Sequence, residues 1–135
     1  MSLFVDTSVW SLALRRDAVD DSPAVHVLAT ALERGAPLFT TGLVLQELLQ
    51  GFRGPKARDR IVQRLSALPF IIPDREDHVQ AAELRNRCRR KGVQIGTIDA
   101  LLAQLCIRHE LEMLTTDKDF RLVAEHAPLT LTAVE

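Results

Sequence analysis

The sequence predicts an α/β fold built on a mostly parallel sheet, and three observations predict it. Short apolar runs of strand type recur along the chain, helix-period stripes separate them, and glycine or proline marks most junctions. The chain has 135 residues, 47% of them hydrophobic, enough for a single domain spanning 1–135 with a sizeable core.

The elements follow in order. Leu3-Phe4-Val5 is the first strand, and Asp6 follows it directly, with Thr7 and Ser8 supplying helix-start chemistry. Ser22-Pro23 offers an N-cap and a first-turn proline for a helix whose stripe is Val25, Leu28, Ala29 and Leu32, stopped by Gly35. PLFTT reads as the second strand. Leu45, Leu48, Leu49 and Phe52 recur at i, i+3, i+4 and i+7, a helix ending near Gly51 to Gly54. Lys56 to Leu68 is a basic amphipathic helix, and FIIP after Pro69 is a brief strand closed by Pro73. Asp74 is placed to cap a long helix that Gly92 terminates after Lys91. Thr97 opens a helix with the stripe Ile98, Leu101, Leu102 and Leu105. LEMLTT is a strand running into Asp117, one more helix begins near Asp119, and LTLTAV is the last strand. No internal repeat, low-complexity tract or interdomain linker interrupts this order.

Composition excludes several classes. No window approaches the roughly 20 apolar residues of a membrane span. The N-terminus lacks a basic start, an apolar core and a small-residue cleavage site, which predicts a cytoplasmic protein. Cys88 and Cys106 are isolated, with no metal-ligand spacing around them, and read as reduced thiols. The four histidines (26, 78, 109 and 126) are scattered, so a metal-free ribonuclease constellation is not evident. The net charge of −1 hides an asymmetry. Residues 50–95 hold 11 Lys and Arg against 5 Asp and Glu, while the remainder holds 6 against 13. That middle segment is either a pair of solvated helix faces or a basic lobe that collects polyanions beside an acidic site.

The acids gain meaning from the predicted sheet. In parallel α/β sheets, sites lie beyond the carboxyl ends of the strands. Asp6 and Asp117 both follow apolar strands, so both are expected at the same sheet edge, and Asp99 lies in the first turn of a helix at the margin of its apolar stripe. Singly, each has a plainer role. Asp99 at a helix start complements the helix dipole, worth about 0.3–1 kcal/mol, and Asp6 or Asp119 can cap a helix. Together, like charges on one edge repel unless a cation lies between them, and hard Mg²⁺ or Mn²⁺ suits carboxylate oxygen and water.

FVDTSVW, VLQELLQGF, GTIDALLA and LTTDKDF, in that order and at these spacings, resemble the four acidic motifs of the PIN-domain nucleases. DTSVW, RRKGVQIGTIDALLA and the compact length resemble the VapC-type toxins of bacterial toxin–antitoxin pairs in particular. The resemblance covers essentially the whole chain. It implies a three-layer fold with a small sheet of order 3-2-1-4-5 flanked by helices. It also implies a Mg²⁺-dependent endoribonuclease in which water attacks the phosphodiester, leaving 5′-phosphate and 3′-hydroxyl ends, with Mn²⁺ as the substitute ion. Residue by residue, Asp6, Glu47, Asp99 and Asp117 match the catalytic, metal-holding acids, and Asp119 is either an accessory acid or a cap. Thr7, Ser8 and Thr116 resemble supporting hydroxyls, with N-capping as the alternative. The Glu47 assignment rests on the resemblance, because a helical wheel puts Glu47 across from the Leu45–Leu48–Leu49–Phe52 stripe, on an ordinary exposed face.

The implied partners are an RNA substrate, a cognate antitoxin and a second copy of the chain as a homodimer; no membrane is expected. With no Tyr, one Trp and five Phe, the sequence is poor in aromatics for stacking bases, so phosphate contacts from the arginine-rich 53–64 and 85–91 segments would carry RNA binding. Leu43 and Val44 beside the 45–52 stripe, and Trp10, are candidate anchors for the antitoxin, Trp10 being equally a core residue. Two other classes compete. A non-catalytic PIN-like binding domain would keep the acids for a structural metal or a partner's arginine. An aspartate-based phosphoryl-transfer protein fits less well: the phosphatase type wants an acid at the second position after its nucleophile, where this chain has Ser8, and the receiver type wants an adjacent N-terminal acidic pair.

Overall fold

The computed structural model describes residues 2–15 and 22–134. Its elements are β1 (Leu3–Val5), α1 (Thr7–Ala13), α2 (Pro23–Glu33), β2 (Leu38–Thr41), α3 (Gly42–Gly51), α4 (Pro55–Ser66), β3 (Phe70–Ile71), α5 (Arg75–Arg90), α6 (Thr97–Arg108), β4 (Glu112–Leu114), α7 (Asp119–Ala124) and β5 (Thr130–Leu131). The strands form one sheet in the order β3-β2-β1-β4-β5, and every neighbouring pair is parallel. The α/β class, the strand order and the order of the elements match the expectations above.

Burial explains why β1 is central. Leu3, Phe4 and Val5 are 6%, 0% and 0% exposed. Successive strand side chains point to opposite faces, so three buried in a row require cover on both faces, as parallel sheets need. Burying Phe4 and Val5 contributes about 1.5–3 kcal/mol each. The expected strands at both margins are shorter than their apolar runs, Phe70–Ile71 and Thr130–Leu131, because an edge strand has a partner on one side only.

Helix ends follow local chemistry. Asp74 and Asp77 form a reciprocal capping box at the start of α5, each side chain accepting from the other residue's backbone N–H at 2.9 Å. At the far end Gly92 takes φ +80°, the left-handed conformation that a side chain resists, and stops the helix. The loop after it is pinned: Val93 and Ile95 are buried, and Arg85 Nε donates to the Ile95 carbonyl at 2.8 Å. That loop delivers the chain into α6.

Two expectations need correction. Trp10 is 4% exposed and belongs to the core, so it is no anchor for a partner. Val44 is 0% exposed and with Leu48 forms the buried face of α3, which removes it from any partner groove. The wheel misplaced that face because α1 and α4 both pack on α3, so the side away from the sheet is not open water. Cys88 and Cys106 are free and buried as expected, and burial pushes both thiols up, leaving them protonated core residues.

Candidate active site

The chain runs from β1 to β2 and β3 on one side of the sheet, then returns to β4 and β5 on the other. The crevice of such a sheet opens where the order reverses, beyond the carboxyl ends of β1 and β4. Asp6 leaves β1 at that point. Val5 pairs with Leu114, and the Asp6 N–H donates to the Leu114 carbonyl at 2.9 Å, so the ladder places Asp6 beside Thr115.

Register therefore selects the supporting hydroxyl. Thr115 Oγ1 donates to Asp6 Oδ2 at 2.8 Å, and Ser8 Oγ donates to the same oxygen at 2.8 Å. Asp6 is only 5% exposed, and these two bonds are what allow a carboxylate to be that buried. Thr116, the hydroxyl residue expected from sequence, is exposed and contributes its backbone N–H to Ser8 Oγ at 3.1 Å. Thr115 was missed because the strand was read through to Asp117, whereas β4 ends at Leu114 and Asp117 lies three residues beyond. Ser8 and Thr7 serve carboxylates, not a helix cap.

Glu47 is half-buried, unlike the exposed face the wheel gives it, and accepts from Thr7 Oγ1 at 2.9 Å across the packed α1–α3 pair. Asp117 Oδ1 accepts from the Asp119 N–H at 2.9 Å, so it is Asp117 that organises the start of α7, while Asp119 occupies its exposed first turn. The Asp117 N–H donates to Thr115 Oγ1 at 3.0 Å, tying the fourth acid to the group that holds the first.

One carboxylate oxygen from each of Asp99, Asp117 and Asp119 can be chosen so that all lie within 4.8 Å of one another. Asp6 and Glu47 stand outside that set, held by their hydroxyl donors, yet near enough to act on Asp99. Burial pushes the Asp99 carboxyl up to about 6, and Asp6, Asp117, Glu47 and Asp119 add repulsion in that order. Among the described residues no Lys, Arg or His forms an ion pair with any of the five. The sheet edge thus gathers hard oxygen donors with no cation of their own, the donor set that divalent Mg²⁺ or Mn²⁺ takes.

Relatives share this arrangement of the chain. The PIN domain family matches residues 3–126. Ribonuclease VapC11 of Mycobacterium tuberculosis is 28% identical over 124 residues, covering 90% of this chain and 91% of the relative. The structure of VapBC2 from Rickettsia felis bound to a DNA fragment from its promoter is similar at a TM-score of 0.74 and 20% identity, over 100% of both chains. VapC20 of Mycobacterium tuberculosis, a sarcin–ricin loop cleaving toxin, is similar at a TM-score of 0.66 and 21% identity, over 94% of this chain and 98% of that one. With the matched span running from the first strand through the last helix, the chain belongs to the PIN domain family.

Proposed function

We propose that this protein is a Mg²⁺-dependent endoribonuclease, the toxin of a toxin–antitoxin pair, with Asp6, Glu47, Asp99 and Asp117 as its catalytic and metal-holding acids. The observation that carries the reading is the convergence of five carboxylates with no cation paired to them among the described residues, where burial first and the neighbouring charges second raise Asp99 to about 6. The similarity to ribonucleases named VapC supports the substrate class.

A bound divalent ion would polarise a phosphoryl oxygen and lower the pKa of a coordinated water. Asp99 and Asp117 would hold it, with Asp119 as the accessory carboxylate from the same group and Asp6 facing it from β1. Mn²⁺ meets the same donors. The protein's own residues do the positioning. Ser8 and Thr115 both engage Oδ2 of Asp6, which fixes the direction of the carboxylate before substrate arrives. Thr7 holds Oε1 of Glu47, leaving the second oxygen to orient a water or take its proton.

The partners in this reading are RNA, a cognate antitoxin and a second copy of the chain. Ile72 and Ile98, 82% and 40% exposed, border neighbouring cavities that share Leu43 and give an apolar surface for protein contact. A Lys or Arg from an antitoxin would find the uncompensated carboxylates nearby. No helix among the described residues is long and apolar enough to cross a membrane.

Cleavage of a mixed RNA pool by the purified protein, with Mg²⁺ and then with excess chelator, tests the reading. Chelator-sensitive cleavage is the expected result. A protein that binds Mg²⁺ and leaves RNA intact would instead be a binding domain.

A further inference from the structure

A second charged site lies at the opposite ends of the two helices that frame the carboxylates. Thr7 and Glu47 meet at the active-site end of α1 and within α3. About 10 Å further along α1, at 1.5 Å per helical residue, both helices finish and α4 begins. There Arg15, Arg53, Lys56 and Arg60 line a cavity of about 500 Å³ together with Phe52 and Ala57, and no carboxylate lines it among the described residues. None of the four cations forms an ion pair among the described residues. Packing holds the cluster together: Arg60 Nη2 donates to the carbonyl of Leu14, tying α4 to the last turn of α1. The Arg60 Nε–H is buried behind this bond and has no acceptor among the described residues, so Arg60 offers the cavity its terminal nitrogens.

The start of α4 adds to this. Its N-cap is Gly54 at φ +89°, which carries no side-chain oxygen, and its first residue is Pro55, which has no N–H. The first intrahelical bond is made by the Arg58 N–H to the Gly54 carbonyl, so the N–H groups of Lys56 and Ala57, both at the cavity wall, lie ahead of the helical ladder. Four cations and the positive end of a twelve-residue helix around one cavity call for an anion with several acceptor oxygens.

We propose that this cavity binds a backbone phosphate of the RNA strand, a few nucleotides from the bond cut at the carboxylates. The assignment rests on the ribonuclease reading and deepens it. Five acids repel a polyanion, so a substrate strand needs attraction from somewhere near them, and the two framing helices lead from the acids to this cavity. Arg15 is the part that sequence could not supply, since it lies far from the arginine-rich 53–64 segment and only the fold joins them.

Arg53 and Lys56 are exposed and their side chains make no hydrogen bond or ion pair among the described residues, so Arg53→Gln with Lys56→Gln leaves the fold in place. Binding of a labelled single-stranded RNA to the chelated protein across a salt series, and KM and kcat with Mg²⁺, are the measurements. The double variant should bind about threefold to tenfold more weakly, with a salt slope shallower by about 0.7, as for one lost phosphate contact. KM should rise with kcat kept. Arg58→Gln with Arg64→Gln removes the same charge from α4 outside the cavity and should do less. Equal effects from the two double variants would overturn the site in favour of a diffuse basic field. Unchanged RNA binding with loss of an acidic protein partner would overturn it in favour of a protein dock. Failure of the wild type to cleave any RNA is a separate result, directed at the ribonuclease reading itself.

Discussion

The helices α5 and α6 pack together, and each end of the pair carries an acid in a different state, Asp77 buried and Asp99 half-buried. At one end Asp77, 1% exposed, meets Arg108 of α6, which also reaches Asp74 at 3.3 Å. Burial alone would raise the Asp77 carboxyl, but the Asp74 backbone N–H and the Arg108 guanidinium together hold it below the usual range. At the other end burial pushes Asp99 up to about 6, and four more carboxylates add to the rise. The first cluster has its own guanidinium counter-charge and its role is structural. The second lacks a counter-charge, and a fold that closes one acidic cluster with arginine while leaving its neighbour open has left room for a cation from outside.

The comparison breaks most visibly in catalysis. Partners that only orient a metal ligand are worth about 10–100-fold in affinity or activity, so loss of a ligand should cost more. Asp99→Asn and Asp6→Asn should each lower Mg²⁺-dependent RNA cleavage by more than about 100-fold with the fold intact, whereas Asp77→Asn should leave the rate of the folded protein unchanged. Wild-type cleavage by Asp99→Asn would remove that residue from the site. Thr115→Val tests the network behind Asp6: it keeps the shape and deletes one of two donors, and a loss of about 10–100-fold is expected. Thr116→Val, which retains its backbone N–H, should change little; the reverse ranking would return the supporting role to Thr116.

How far such residues could be read from sequence depended on whether local pattern or tertiary contact decides them. The strand order followed from motifs that resemble a known family, and the Asp74 cap and the Gly92 stop are local rules visible in the chain. Asp6 and Asp99 were legible because strand ends and helix starts have fixed places in a parallel sheet. Glu47 was not, since its burial comes from α1 packing on α3, which no helical wheel of one segment contains. Thr115 was hidden by one residue of register, because the pairing of Val5 with Leu114 decides which hydroxyl stands beside Asp6. The split between Asp117 and Asp119 was hidden for a similar reason: Asp117, two residues ahead of the short α7, accepts the Asp119 N–H, and Asp119 in the first turn is left exposed.

Stability should separate the two clusters in sign. Asp77→Asn leaves Arg108 without its buried partner and should destabilise by about 1–3 kcal/mol, less than a fully buried pair because Arg108 is partly solvated. A smaller effect distinguishes them by pH in metal-free protein. The Asp99 carboxyl holds its proton to about 6 when folded but releases it near 3.8 when unfolded, so the native state binds more protons between those values and stability falls as pH rises through that window. The lowered Asp77 carboxyl acts oppositely: its contribution is present above 3.8 and is lost only as pH falls below that value. Denaturant midpoints from pH 4 to pH 6.5 should therefore decline more for wild type than for Asp99→Asn. Parallel curves would mean that the charges around Asp99 are already compensated.

The most direct test of an open acidic cluster is the melting temperature of wild type and Asp99→Asn at pH 7, each with and without millimolar Mg²⁺. Without metal, removing one of five crowded charges should leave the variant as stable as wild type or more so, each close carboxylate pair costing on the order of 1 kcal/mol. With metal the order should reverse, because wild type gains the larger binding free energy. An Asp99→Asn protein that melts below wild type by the same margin in both conditions would contradict the account, leaving Asp99 a helix-start residue and the cluster without its cation.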